Sequence, residues 1–193
     1  MADFEGALIT WLDGNALRAG FVEKQNGKKL QLIDSNGRKT SVNDKFVLGK
    51  LPQPASLSSA VQVIGTAPAK IAEIAAGIDT ELLWEVVAGE DQTDLNDLCE
   101  NYFDEHTIWQ QSAMYQAIAA DDLRFKVKTW IMQPRPETQV QEMTLARKRE
   151  QERLHEREQV TAWFRDLLAD TPDDDDETRE VPTEMEPVVQ RLL

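Results

Sequence analysis

Apolar positions recur every three to four residues between Asp79 and Ala120, then every two residues from Leu123 onward. The first period is that of a helix and the second that of a half-buried strand. Three short helices are therefore predicted. Asp79 is a good N-cap for the first, with Glu81 favourable in its first turn. Leu82, Leu83, Val86 and Val87 make one stripe, and Gly89 can end it. Thr93 is taken to open the second helix, where Leu95, Leu98, Cys99, Tyr102 and Phe103 follow amphipathic spacing. Thr107 opens the third, with Ile108, Ser112, Tyr115, Ile118 and Ala119 inward. After the change of period, Leu123, Phe125 and Val127 alternate with Arg124, Lys126 and Lys128. Trp130-Ile131-Met132 supplies a returning strand, ended by Pro134 and Pro136, which cannot donate to a ladder. Residues 79–136 thus predict a winged-helix-like domain whose cationic hairpin is the wing.

The N-terminal part has a different rhythm. Asp13-Gly14, Asn26-Gly27 and Asn36-Gly37 are strong hairpin signals, because a type I′ turn needs positive φ at both central positions. Five short strands fall around them, at Phe4–Leu12, Leu17–Lys24, Lys29–Asp34, Arg38–Val42 and Phe46–Lys50. Residues 1–51 are expected to form a small SH3-like β-barrel, whose closure removes most exposed edges. Leu51-Pro52-Gln53-Pro54 is a boundary. Residues 52–78 read as a helical connector of two pieces, about Ala55–Val63 and Ala69–Ala76, with Pro68 at the start of the second. Pro136-Glu137 begins a long charged helix over 137–169, with no breaker before Pro172. Its charged middle offers the i, i+3 pairs Glu150/Arg153, Arg149/Glu152 and Arg153/Glu156. Residues 170–193, with the Asp173–Asp176 run, are expected to be an acidic disordered tail. The predicted fold class is α+β: an SH3-like barrel, a winged-helix-like domain and a long C-terminal helix.

Charge changes this picture through its placement more than its total. The chain has 193 residues and a net charge of −14. Residues 52–105 hold one basic and eleven acidic groups, whereas 106–136 hold four basic and two acidic. A wholly basic nucleic-acid binder is excluded, but local basic patches on an acidic body are not. No N-terminal apolar h-region and no apolar run of spanning length occur, so a soluble, cytoplasmic protein with no membrane partner is expected.

Catalytic chemistry has little support. Cys99 is the only cysteine and sits on an apolar stripe, so it reads as a small core residue. His106 and His155 form no nucleophile pattern with it. No phosphate-loop glycine pattern occurs. The Asp173–Asp176 run lacks the fixed scaffold from which metal-ligating carboxylates converge. No catalytic residue, metal site or cofactor is therefore assigned. Nucleic-acid contact has more support. Arg124, Lys126 and Lys128 share one face of the first wing strand, Arg135 follows, and Trp130 near the tip could stack a base. Lys28, Lys29, Arg38 and Lys39 flank the barrel turns. They either keep edges soluble or form a cationic rim that touches phosphate. The third helix contains no Lys or Arg over 106–122, which argues against major-groove reading.

The barrel with its Asn-Gly turns, followed by "DTELLWEVV", "LNDLCENYF" and "LRFKVKTWIMQPRPETQV", resembles the N-terminal region of ribonuclease II-type (RNB-family) exoribonucleases, in particular the cyanobacterial, chloroplast-like branch. The resemblance covers about residues 4–165. Its most specific pieces are Glu81-Leu82-Leu83-Trp84, Leu123-Arg124-Phe125-Lys126 and Pro134-Arg135-Pro136. None is a catalytic motif. The wing tip departs from the family, with Val127-Lys128-Thr129-Trp130 where a Gly-containing turn is usual. The resemblance implies a processive hydrolase that degrades RNA from the 3′ end with a divalent metal, Mg²⁺, held by an Asp cluster in a catalytic domain that has no match here. On that basis the chain is expected to be a non-catalytic RNA-binding accessory module. Its expected partners are single-stranded RNA, bound weakly, and a catalytic RNB domain in cis or in trans. A protein-interaction adaptor and a winged-helix DNA-binding regulator are the alternatives.

Overall fold

The structure is a computed structural model that describes residues 3–14, 16–52, 57–103 and 107–169. It is mixed α+β and divides into two units, residues 1–137 and 138–193. Five antiparallel strands open the first unit: β1 (Leu8–Asp13), β2 (Ala16–Asn26), β3 (Lys29–Ile33), β4 (Lys39–Asn43) and β5 (Val47–Lys50). Their order is β4-β3-β2-β1-β5. Gly14, Gly27 and Gly37 all take the positive φ that their turns demand. A 3-10 turn, Asp44–Phe46, joins β4 to β5.

That short joint dictates the shape of the sheet. In a flat sheet β4 and β5 would lie four strand spacings apart, about 19 Å. Three 3-10 residues rise only about 6 Å. The sheet must therefore curl until its two outer strands approach one another. Register shifts in β2 between Val22 and Lys24, and in β1 between Thr10 and Trp11, mark where it bends. The expected removal of edges by closure does not occur: among the described residues no ladder joins β4 to β5.

β1 lies between β2 and β5 and is buried along its length except at Asp13. On one side Ile9 and Trp11 pack with Ala7, Val22, Leu30 and Leu32. On the other, Leu8 meets Leu51, Ala60 and Ile64, while Leu12 joins the helical core. The connector is one helix, α1 (Leu57–Ala75), rather than two pieces, and Pro68 lies inside it. Pro68 has no N–H to give to the carbonyl one turn back. The helix continues because Ala60, Ile64, Ala67 and Ile71 form one buried face, laid against α4 and β2.

The next segment contains α2 (Thr80–Val87), β6 (Thr93–Asp94), α3 (Leu95–Tyr102), α4 (Ile108–Ala120), β7 (Phe125–Lys128) and β8 (Ile131–Pro134). Asp79 caps α2 by accepting from the Glu81 and Leu82 N–H groups, both at 3.0 Å. Thr93 does not open α3. It pairs with Met132 in a small sheet ordered β6-β8-β7, and Asp94 caps α3 by accepting from Asn96 N–H at 2.8 Å. The hydrophobic period could not separate a two-residue strand from a helix start. α4 is the most enclosed helix, with Ser112, Ala113, Met114, Tyr115 and Ile118 buried. Leu83, Val87, Leu95, Leu98, Cys99, Ile118, Phe125 and Met132 share one core with Leu12 of the first sheet. The segments separated at Pro52 and Asp79 by sequence are thus packed as one body.

The second unit is described by α5 (Glu137–Ala169), 33 residues long, or about 50 Å. Within it Glu150 and Arg153 pair at 3.3 Å, and the Trp163 and Phe164 rings meet edge to face at 4.8 Å. The acidic stretch expected to be a tail lies outside the described residues, as does His106.

Two glycines separate backbone fit from side-chain fit. A Cβ on Gly20 would come within 2.8 Å of the Ile33 carbonyl oxygen and 2.9 Å of the Trp11 ring. A Cβ on Gly49 would meet only the Ile108 side chain, its Cδ1 at 2.6 Å and its Cγ1 at 3.6 Å. Gly20→Ala should therefore destabilise by about 1–3 kcal/mol, and Gly49→Ala by clearly less, since a terminal methyl can rotate away. Urea denaturation of both variants checks this; equal losses would show that Ile108 is held as firmly as the sheet.

Candidate nucleic-acid interface

The segment expected to be the wing is the hairpin of β7 and β8, in register from Phe125↔Pro134 to Lys128↔Ile131. Thr129 makes its tight turn with φ of 57°, an unusual value for a β-branched residue. Lys126 and Lys128 are exposed on β7, while Phe125 points into the core.

Arg124 does not join them. Its guanidinium pairs with Glu81 at 2.7 Å and Asp121 at 3.3 Å, and its side chain is only 20% exposed. Burial pulls its proton affinity down, but the hydrogen bonds and charges of Glu81 and Asp121 outweigh that and leave its pKa raised. Asp121 is the hub of this corner. It accepts from Thr80 Oγ1 at 2.7 Å and from the Leu123 and Arg124 N–H groups at 3.2 and 3.0 Å. It thereby ties the start of α2 to the end of α4 and the start of the wing. In sequence Asp121 looks like an ordinary solvated acid; only the packing reveals its partners.

Arg135 is half-buried behind the wing. Its N–H donates to the Arg124 carbonyl at 2.8 Å, and its own carbonyl accepts from Trp84 Nε1 at 2.8 Å. Its Nε is buried without a hydrogen-bond partner.

Trp130 reaches the first sheet. Its Nε1–H donates to the Lys45 carbonyl at 2.9 Å, and its ring meets the Tyr115 ring edge-on at 5.5 Å. The indole is thus engaged as a clasp between wing and sheet rather than standing clear at the tip. Tyr115 also lines a shallow cleft of about 320 Å³ with Leu17, Gln116 and Ala119.

The four turn-flanking cations do not form one rim. Lys29 pairs with Asn43 at one end of β3, and Lys39 pairs with Ile33 at the other. Four residues of extended strand separate these ends by about 13 Å. Lys28 and Lys29 are exposed at the first end. Arg38 is exposed at the second, where Lys39 is bound by Glu23 at 2.8 Å. Lys45, exposed in the 3-10 turn, was not singled out by sequence. Its only signal is Asn43, whose side chain accepts from Lys45 N–H at 3.2 Å and fixes the turn.

His155 is on α5 beside Gln159. Among the described residues no three His, Cys, Asp or Glu side chains gather as metal ligands, and no helix is long and apolar enough to cross a membrane. Cys99 is fully buried. Burial, with Asp94 and Glu100 nearby, pushes its thiol up to about 12.

Two outcomes follow from these environments. Arg124→Ala should lower stability by about 1.5–3 kcal/mol in urea denaturation, the usual worth of hydrogen bonds to charged groups. Arg124→Lys should recover only part, because one ammonium lacks the planar fork that serves two carboxylates. For Cys99, a raised pKa stabilises the folded protein below the ordinary thiol range, and that contribution is lost as pH climbs from about 9 towards 12. At mildly alkaline pH a disulfide reagent should titrate the thiol quickly in urea and slowly in native buffer. Equal rates would place the thiol at the surface.

Comparison with protein-family models, curated proteins and solved structures finds no match to this chain.

Proposed function

We propose that the chain is a non-catalytic accessory module that holds single-stranded RNA weakly, of the kind that precedes the catalytic domain in RNB-family exoribonucleases. The observation that carries this reading is the exposed wing. Lys126 and Lys128 stand on one strand, two residues apart, and neither has an ion-pair partner among the described residues. Alternate residues of a strand share a face, so the two ammonium groups present together to a polyanion.

The topology supports the same reading. Five antiparallel strands with a 3-10 turn before the last suit an SH3-like barrel, here open between its outer strands. Three helices with a β6-β8-β7 sheet suit a winged helix. A DNA-binding regulator is less well supported, because α4 carries no Lys or Arg and is largely buried. The adaptor reading retains one specific observation: Leu82 and Val86 of α2 are 51% and 65% exposed, in a strongly acidic part of the chain. Hydrolysis and its divalent metal would belong to a catalytic RNB domain in cis or in trans.

Fluorescence anisotropy of a labelled oligo(A) across a salt series tests the reading. Weak, sequence-tolerant binding is expected. Lys126→Glu with Lys128→Glu should weaken it and flatten the log–log salt slope by about 1.4, at about 0.7 per single-strand phosphate contact. The same RNA should not be shortened when Mg²⁺ or Mn²⁺ is added. No binding at low salt, with retention of an apolar basic peptide instead, would transfer the assignment to the adaptor.

A further inference from the structure

The clasp at Trp130 joins the wing to a second group of cations. Its indole N–H holds the Lys45 carbonyl at 2.9 Å. One residue earlier, the Asp44 N–H donates to the Lys28 carbonyl at 2.8 Å. These two hydrogen bonds draw together three segments that are remote in sequence: the turn after β2, the 3-10 turn before β5, and the wing tip. Each contributes exposed lysines. They are Lys28 and Lys29, then Lys45, then Lys128 with Lys126 two residues along its strand. Among the described residues none of the five is held by a carboxylate; the ion pairs of this unit engage Arg18, Lys39 and Arg124 instead. Lys45 is exposed and rests over the Phe46 ring at 4.8 Å.

We infer that these five lysines form one continuous track for the backbone of a single-stranded RNA, crossing the seam between the curled sheet and the wing. The inference rests on the RNA-binding reading above and specifies its site. Cations arriving from three elements on a bent surface suit a flexible strand that can follow the bend, whereas a rigid duplex needs a regular face. α4 offers no cation for such a face. Two acids bound the track. Asp44 precedes Lys45, and Asp94 pairs with Ile131 beside the wing tip, its carboxylate accepting from Asn96 N–H. They hold the affinity down. Arg38 and Lys39 lie at the far end of β3 and are not part of the track.

Salt-dependent anisotropy of labelled oligo(A) on the full chain separates the alternatives. With five contacts the wild-type slope should be about −3.5. K28Q/K29Q/K45Q should flatten it by about 2, and K126Q/K128Q by about 1.4. R38Q/K39Q should leave it unchanged. All these positions are exposed, and circular dichroism of each variant checks that it folds. If the triple variant binds like wild type while the wing pair loses binding, the track is overturned and the RNA reading stands on the wing alone. If wild type fails to bind at low salt, both fall. If polyglutamate displaces oligo(A) at equal charge concentration, the seam serves an acidic protein segment and the RNA track is overturned.

Discussion

β1 is buried on both faces, and the rest of the first unit is arranged by that fact. A strand in a small antiparallel sheet usually keeps one face in water. Here one face of Leu8–Leu12 closes the interior of the curled sheet and the other receives α1 and the core of α4. Thr10 is fully buried between them with its hydroxyl unpartnered. Such a group costs about 1–3 kcal/mol, a sign that shape at this position outweighs polarity. Double burial ties the sheet to the helices, and α1 packs on β2 and α4 with Pro68 inside it.

The same constraint places the wing. α4 lies against the sheet, so the hairpin that follows it emerges beside the β4–β5 joint. Trp130 then bridges to Lys45, while Asp121 and Arg124 fix the hairpin root against α2. The wing is held at both ends, by an ion-pair hub at its base and an aromatic clasp at its tip. Among the described residues Lys126 and Lys128 carry no ion pair, while Asp121 and Glu81 are engaged by Arg124 and Asp94 caps α3.

The candidate interface is therefore a product of contacts between elements rather than of one basic helix. The acidic body sets its strength. With eleven acids against one base over residues 52–105, attraction to phosphate is confined to within about a Debye length of the lysines. On the proposed reading such a surface would hold a strand briefly, and would become useful where another site on the same assembly keeps the strand at high effective concentration.

Much of this was legible in the chain. The Asn-Gly and Asp-Gly turns located the strands of the first sheet to within a few residues, because positive φ is a local demand that Gly meets cheaply. The change of period at Leu123 located the wing, and the Pro136-Glu137 start of α5 was readable for the same local reason. What the sequence could not decide was every feature set by contact over long separations. The continuity of α1 through Pro68 depends on a buried face against α4. The pairing of Thr93 with Met132 makes a strand of residues that look like a helix cap. Arg124, which by period alone belongs with Lys126 and Lys128, is withdrawn by Glu81, a residue 43 positions earlier. Lys45 gains its place beside the wing only through an indole 85 positions away. Local backbone preference is written residue by residue, but a side chain's partner depends on which surfaces meet, and that is decided when the core closes around β1.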